Sequence, residues 1–136
     1  MAILDALPGV AVSVSAAGME LTEFEDNQKN MEGPLASKTV QKCLESVSGS
    51  EFAINLKVSS SFVFDCPNIV FRVFVDGKFI VGKYCGRWKA PDSHWTSTVS
   101  GIYSVLPDGS DGLRKFKFNS IKKSNHRLKY LHYVIY

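Results

Sequence analysis

The stretch from residue 51 to residue 85 constrains the fold most, because it predicts three consecutive β-strands. Apolar and polar residues alternate over residues 51–58, which is the period of a half-buried strand. Two further apolar runs, residues 69–75 and 78–85, are separated only by Asp76-Gly77. Asp-Gly between such runs indicates a hairpin, since both turn residues accept positive φ. A two-residue turn then sets the cross-strand pairs, which are Val75 with Lys78, Phe74 with Phe79, and Val73 with Ile80.

The other apolar segments are short and recur at about 8–12-residue spacing, which is typical of a β-sandwich or barrel. They are residues 10–14, 19–24, 96–106 (with Gly101 as a possible bulge), 113–118 and 128–136. The acidic stretch 25–34 has nothing to bury and is expected to be a mobile loop. The prediction is one all-β domain over residues 1–136, a single antiparallel β-sandwich of about eight or nine short strands with little helix.

Residues 37–49 fit two interpretations. Val40, Cys43, Leu44 and Val47 fall at helical spacing, with Ser37 placed to cap the start and Gly49 to close the end. Ser48-Gly49-Ser50 instead suits a hairpin turn into the strand that begins at Glu51, which favours a strand before it. The residues alone leave both interpretations open.

The net charge of +3 is distributed unevenly. Residues 1–51 hold eight acids and three Lys (−5), whereas residues 52–136 hold five acids and thirteen Lys or Arg (+8). One interpretation is that acidic and basic strands lie side by side and compensate. The other is a basic surface for nucleic acid or another anionic partner. Its candidate residues are Arg114, Lys115, Lys117, Lys122, Lys123, Arg127 and Lys129.

Residues 84–95 contain both tryptophans of the chain, next to several cations. Such residues can form an aromatic platform that stacks on bases or on sugar faces. The alternative is that one or both tryptophans plug the end of the sandwich. The binding candidates in this loop are Arg87, Trp88, Lys89, His94 and Trp95.

No assembled reactive centre is visible, so we predict that the protein is not an enzyme and uses no metal or cofactor. His94, His126 and His132 are far apart, and no Cys pair has zinc-ligand spacing. Cys43, Cys66 and Cys85 are predicted to be free and mostly buried thiols in a reducing compartment. Cys85 with His94 is the remaining candidate for a catalytic pair.

The apolar start of the chain carries Asp5, lacks Lys and Arg, and is interrupted by Pro8-Gly9. A secretory signal needs a basic start and an unbroken apolar middle, so none is recognised. No apolar run is long enough to span a bilayer. We therefore expect an intracellular protein, cytoplasmic or nuclear.

Several scattered strings resemble a large, uncharacterised family of small fungal proteins with an N-terminal Leu-Pro-Gly-Val. They are Leu7-Pro8-Gly9-Val10, residues 40–45 followed by 48–54, residues 71–78, and Phe116-Lys117-Phe118. The resemblance implies a β-sandwich and a strand over residues 40–47. It implies no activity, cofactor or catalytic residue.

The sequence thus predicts a non-enzymatic binding or interaction domain for a protein partner or for self-association. The final apolar segment, residues 128–136, has no charge after Lys129 and would be an open template for another chain at a sheet edge. The alternative is a glycan- or nucleic-acid-binding protein that uses the Trp88 and Trp95 loop and the basic carboxyl-terminal half.

Overall fold

A computed structural model describes residues 1–3, 7–25, 40–87, 93–119 and 131–132. These residues form an all-β, sandwich-like structure in which every pairing is antiparallel, and no helix occurs among them. The strands are more numerous than predicted because several have only two or three residues. They are β1 Ala2–Ile3, β2 Val10–Ala16, β3 Met19–Glu20, β4 Glu23–Glu25, β5 Gln41–Leu44, β6 Glu51–Val58, β7 Asn68–Val75, β8 Lys78–Gly86, β9 Trp95–Val99, β10 Gly101–Val105, β11 Asp111–Lys117 and β12 Leu131–His132.

The first layer is a seven-stranded sheet centred on β6. Along its main path the strand order is β1-β2-β6-β11-β10, with β3 paired to β2 and β9 paired to β6. Strand β2 pairs with β6 from Val10↔Val58 to Ala16↔Phe52. The alternation of β6 directs its apolar residues inward, where Ile54 and Val58 are almost completely buried.

The outer face of β6 is polar, as the alternation predicted. Asn55 Nδ2 donates a hydrogen bond to Ser15 Oγ at 2.9 Å, and Asn55 Oδ1 accepts one from Thr98 Oγ1 at 3.1 Å. These contacts join β2, β6 and β9 on the face opposite the core and favour the observed register.

The second edge of β6 is shared by two strands. Strand β9 pairs with residues 54–58, and the end of β11 pairs with Glu51 and Phe52. The chain leaves β6 at Ser100, whose carbonyl oxygen accepts a hydrogen bond from the Phe116 amide at 2.8 Å. Strand β10 then pairs with β11, starting at Gly101↔Lys115. The predicted single strand over residues 96–106 is therefore two strands.

The second layer contains the β7–β8 hairpin and a three-stranded sheet of order β12-β5-β4. The inward residues of β7, Ile69, Phe71 and Val73, join the core formed by β2 and β6. The Phe71 ring stacks on Trp95 of the first layer, with centroids 5.4 Å apart and planes 7° apart. This stack connects the two layers.

The predicted turn of the β7–β8 hairpin is confirmed. Asp76 has φ 49° and Gly77 has φ 75°, and the pairs Val75↔Lys78 and Phe74↔Phe79 form. The third predicted pair is wrong, since Val73 pairs with Val81. A register shift between Val73 and Phe74 skips Ile80, as expected of a β-bulge with one extra residue.

The ambiguous segment contains strand β5. It pairs with β4 and β12, and its residues Cys43 and Leu44 are buried. The strand interpretation of this segment is correct, and the helical spacing was misleading. Of residues 19–24, only Met19 and Glu20 pair back on β2, whereas β4 pairs with β5. Residues 26–34 of the expected loop lie outside the described residues, as do residues 128–130 and 133–136 around β12.

Candidate functional site

The predicted platform residues lie in different environments. Trp95 is half-buried and packs against the core through its stack on Phe71. Arg87 and His94 are exposed. Trp88 and Lys89 lie outside the described residues. The structure therefore gives Trp95 a role in packing, and it places the two exposed side chains next to the gap in the described chain.

The basic residues of β11 project from both faces of the strand. Lys115 and Lys117 alternate with Arg114 along the strand, so Arg114 lies on the opposite face. Lys115 Nζ is 2.8 Å from Glu51 Oε2, and Lys42 forms an ion pair with Glu25. The Lys115–Glu51 pair joins the basic half of the chain to the acidic half, whereas the Lys42–Glu25 pair lies within the acidic half. Four further candidates, Lys122, Lys123, Arg127 and Lys129, lie outside the described residues.

A cleft with a volume of about 440 Å³ opens at one end of the sandwich. Its apolar wall includes Phe52, which stacks on Phe116 and Phe118 at centroid distances of 5.2 Å and 4.4 Å. Arg114, Lys115 and Lys117 also line the cleft, together with the acidic Asp76. This volume is in the range of small-ligand pockets, but the mixed aromatic and charged lining does not select one ligand class.

The β10–β11 hairpin is exposed on both faces. Tyr103 and Val105 are 81% and 71% exposed and share a face with Leu113, while Ile102 and Leu106 are exposed on the other side. Strand β10 ends the main path of its sheet, and its sequence Gly-Ile-Tyr-Ser-Val has no charge and no proline. Strand β10 is short, but it lacks two of the devices that protect sheet edges, charged side chains and proline.

The turn of this hairpin is held by side-chain hydrogen bonds. Asp108 Oδ1 accepts a hydrogen bond from the Ser110 hydroxyl at 2.6 Å and another from the Ser110 amide at 3.0 Å. These two bonds lower the pKa of Asp108, because they favour its carboxylate form. The two hydrogen bonds order the turn between β10 and β11.

The outer face of the β7–β8 hairpin carries a groove that the sequence analysis did not identify. It is lined by Val70, Arg72, Phe79, Gly82 and Tyr84. Phe79 and Tyr84 are 58% and 69% exposed. Alternation in β7 would have placed Val70 and Arg72 on the outer face. The bulge at Ile80 determines which residues of β8 lie beside Val70 and Arg72 on this face. The sequence did not predict this bulge.

The described residues show no assembled catalytic or metal centre. Cys85 is 0% exposed, Cys43 is buried, and none of the three cysteines forms a disulfide. Within the described ranges no group of three or more His, Cys, Asp or Glu side chains is placed to hold a metal ion. The same ranges contain no helix long and apolar enough to cross a membrane.

The comparisons with known proteins identify a family and no activity. The family described as "Domain of unknown function (DUF7918)" matches residues 9–130, so the chain belongs to that family. No curated protein matches the chain. No solved structure matches it either.

Proposed function

We propose that this DUF7918 domain is a non-enzymatic interaction domain that associates with a second copy of itself through the edge of β10. The observation that carries the proposal is the exposed, uncharged and proline-free strand Gly101–Val105 at the end of the main sheet path. Among the described residues no strand pairs with the outer edge of β10. Its backbone groups can therefore extend the sheet, and its apolar side chains add buried area when they do.

Antiparallel self-pairing suits this strand because it is isologous. With Tyr103 at the two-fold axis, Ile102 of each copy faces Ser104 of the other, and Gly101 faces Val105. No charged residue of either strand then faces a like charge, since Gly101–Val105 contains none. Two tyrosines with largely exposed rings would meet at the centre of the interface.

The neighbouring strand adds charges of complementary sign. Within one copy Lys115 pairs with Gly101, and Asp111 pairs with Val105. When Gly101 of one copy faces Val105 of the other, Lys115 of the first copy lies on the same line across the strands as Asp111 of the second. The two charges are then three strand spacings apart, about 14 Å. Attraction over that distance is largely screened by salt, so it would aid orientation rather than affinity.

Sedimentation velocity at several protein concentrations tests the proposal. The wild-type chain is expected to shift from monomer to dimer as the concentration rises, and Tyr103→Lys is expected to remain monomeric. Tyr84→Lys is the matched control, since it makes the same change at an exposed tyrosine of another surface. A wild-type chain that stays monomeric throughout, or a Tyr103→Lys variant that dimerises normally, would contradict this function.

The second candidate function is glycan or nucleic-acid binding at the Trp88 and Trp95 loop with the basic carboxyl-terminal half. The exposed Arg87 and His94 on either side of residues 88–92 support it. Thermal-shift screening against glycans and oligonucleotides tests it, because a ligand of the native state raises the melting temperature.

An intracellular location, cytoplasmic or nuclear, belongs to the same proposal. The buried side chains of Cys43 and Cys85 support it, since buried cysteines that serve packing are typical of proteins in reducing compartments. A fungal origin rests on the sequence resemblance alone.

A further inference from the structure

The outer face of the β7–β8 hairpin arranges its side chains in paired rows. The register places Val70 beside Tyr84, Arg72 beside Gly82, and Phe74 beside Phe79. The Phe74 and Phe79 rings contact edge to face, with centroids 5.6 Å apart. An aromatic ring therefore stands at each end of the groove, with a guanidinium and a bare glycine between them.

Gly82 keeps the centre of the groove open, and the fold does not require glycine there. A Cβ atom built on Gly82 meets no atom within 4 Å, and its φ is not positive. Glycine in the interior of a strand weakens it and often marks a close approach of another molecule. Neither backbone strain nor packing accounts for the missing side chain, whereas space for a ligand does.

The charge of this face selects an anionic ligand. Arg72 is exposed, and none of the paired residues from Asn68↔Gly86 to Phe74↔Phe79 on the outer face is acidic. Exposed aromatic rings with a cation between them are the arrangement on which bases stack while a phosphate is neutralised. Alternate rows are about 7 Å apart, so Tyr84 and Phe79 are separated by about 13 Å.

We propose that the outer face of β7–β8 is a binding site for single-stranded nucleic acid. One base stacks on Tyr84, a second, non-adjacent base stacks on the ring of Phe79, and Arg72 contacts a phosphate of the segment between them. The site is distinct from Trp95, because Trp95 stacks on Phe71 at the opposite face of β7. It is also separate from the β10 edge, so this inference does not depend on the proposed self-association.

Fluorescence anisotropy with short labelled oligo-uridine RNA and oligo-thymidine DNA tests the site. The wild-type chain is expected to bind at low salt and to bind more weakly as salt rises. Tyr84→Ala and Phe79→Ala should each weaken binding by roughly 5- to 100-fold. Arg72→Gln should reduce the slope of log affinity against log salt by about 0.7. Binding of RNA, DNA or both supports the site, and a preference for RNA would indicate a contact to the 2′-hydroxyl.

Filling the groove gives the most direct test. Gly82→Val places a side chain where the groove is empty and is expected to abolish binding while the melting temperature is retained. Gly82→Ser is the smaller variant to use if the valine variant proves unstable. Phe24→Ala is the matched control, an exposed aromatic residue on β4 that lies outside both proposed surfaces and should leave affinity unchanged.

Three results would overturn the inference. They are no binding at low salt, binding that Gly82→Val leaves intact, and equal losses for Phe24→Ala and Tyr84→Ala. Aromatic grooves also bind proline-rich peptides. A proline-rich peptide that binds in a Gly82→Val-sensitive way, without oligonucleotide binding, would replace nucleic acid with that ligand.

Discussion

At the scale of single residues, Gly77 and Gly82 lie on one hairpin but differ in whether the backbone needs glycine. Position 77 favours glycine, whereas position 82 has space for a side chain. Gly77 has φ 75° in the turn, where a Cβ atom is strained. Gly77→Ala should lower the free energy of unfolding by about 1 kcal/mol or more. Gly82→Ala, the control, adds a side chain in open space and should be neutral or stabilising by about 0.5 kcal/mol. Urea denaturation of both variants checks this, and similar losses for both would contradict the assigned turn.

The two glycines also show what can be predicted at this scale. Asp76-Gly77 was predicted because the turn chemistry is local and depends on adjacent residues. The groove at Gly82 was not predicted. Its neighbours Arg72 and Tyr84 lie on two different strands, and a β-bulge shifts the register between those strands. Likewise, the exposure of Trp95 depends on Phe71, a residue that is close only in space.

At the scale of elements, the main sheet divides at Ser100–Gly101, where the chain passes from β9, paired with β6, to β10, paired with β11. We call this point the fork. A Cβ atom on Gly101 would lie 2.2 Å from the Arg114 carbonyl oxygen, so any larger residue forces β10 and β11 apart. Gly101→Ala should lower the free energy of unfolding by about 1–3 kcal/mol. Ser104→Ala on the same strand is the control and should change it by at most about 0.5 kcal/mol. Equal midpoints in guanidinium denaturation for Gly101→Ala and wild type would mean that the fork opens without cost.

Sequence patterns predicted the elements whose apolar and polar residues alternate clearly, which are β6 and the β7–β8 hairpin. Over residues 37–49 the spacing fitted a helix slightly better than a strand. Strand β5 is stabilised by pairing with β4 and β12, which are distant in sequence. Local periodicity has no information on such partners. The break between β9 and β10 was missed for the same reason, since it depends on the insertion of Phe116 beside β6.

At the scale of the whole molecule, the Phe71–Trp95 stack joins the two layers. Trp95→Ala removes a large, half-buried ring from this junction and should cost about 2 kcal/mol or more in unfolding free energy. Trp95→Phe keeps a stacked ring and should cost less than about 1.5 kcal/mol. Tyr84→Ala, at an exposed aromatic residue, is the control and should cost at most about 0.5 kcal/mol. A Trp95→Ala variant as stable as this control would show that the stack does not hold the layers together.

The all-β class was predictable for the whole chain because many short strands share one pattern. The positions of the candidate binding surfaces could not be predicted from the sequence. In β10 and β11 apolar and polar residues do not alternate regularly, so the sequence does not show which face of each strand is buried and which is exposed. Charge counts had the same difficulty. The sum over residues 52–136 is +8, yet Lys115 pairs with Glu51 of the acidic half.

Strands β9 and β11 both pair with the second edge of β6. This arrangement sets the order in which the strands of the main sheet can pair during synthesis. Strand β2 precedes β6 and can pair as soon as β6 leaves the ribosome, but β9 and the end of β11 emerge later. The 58 residues from Val58 to Phe116 take about 3–12 s to translate at 5–20 residues per second. For that interval the nascent protein exposes one side of its central strand. Lys57, which is exposed on that strand, supplies a charge of the kind that disfavours pairing with a neighbouring chain during this interval.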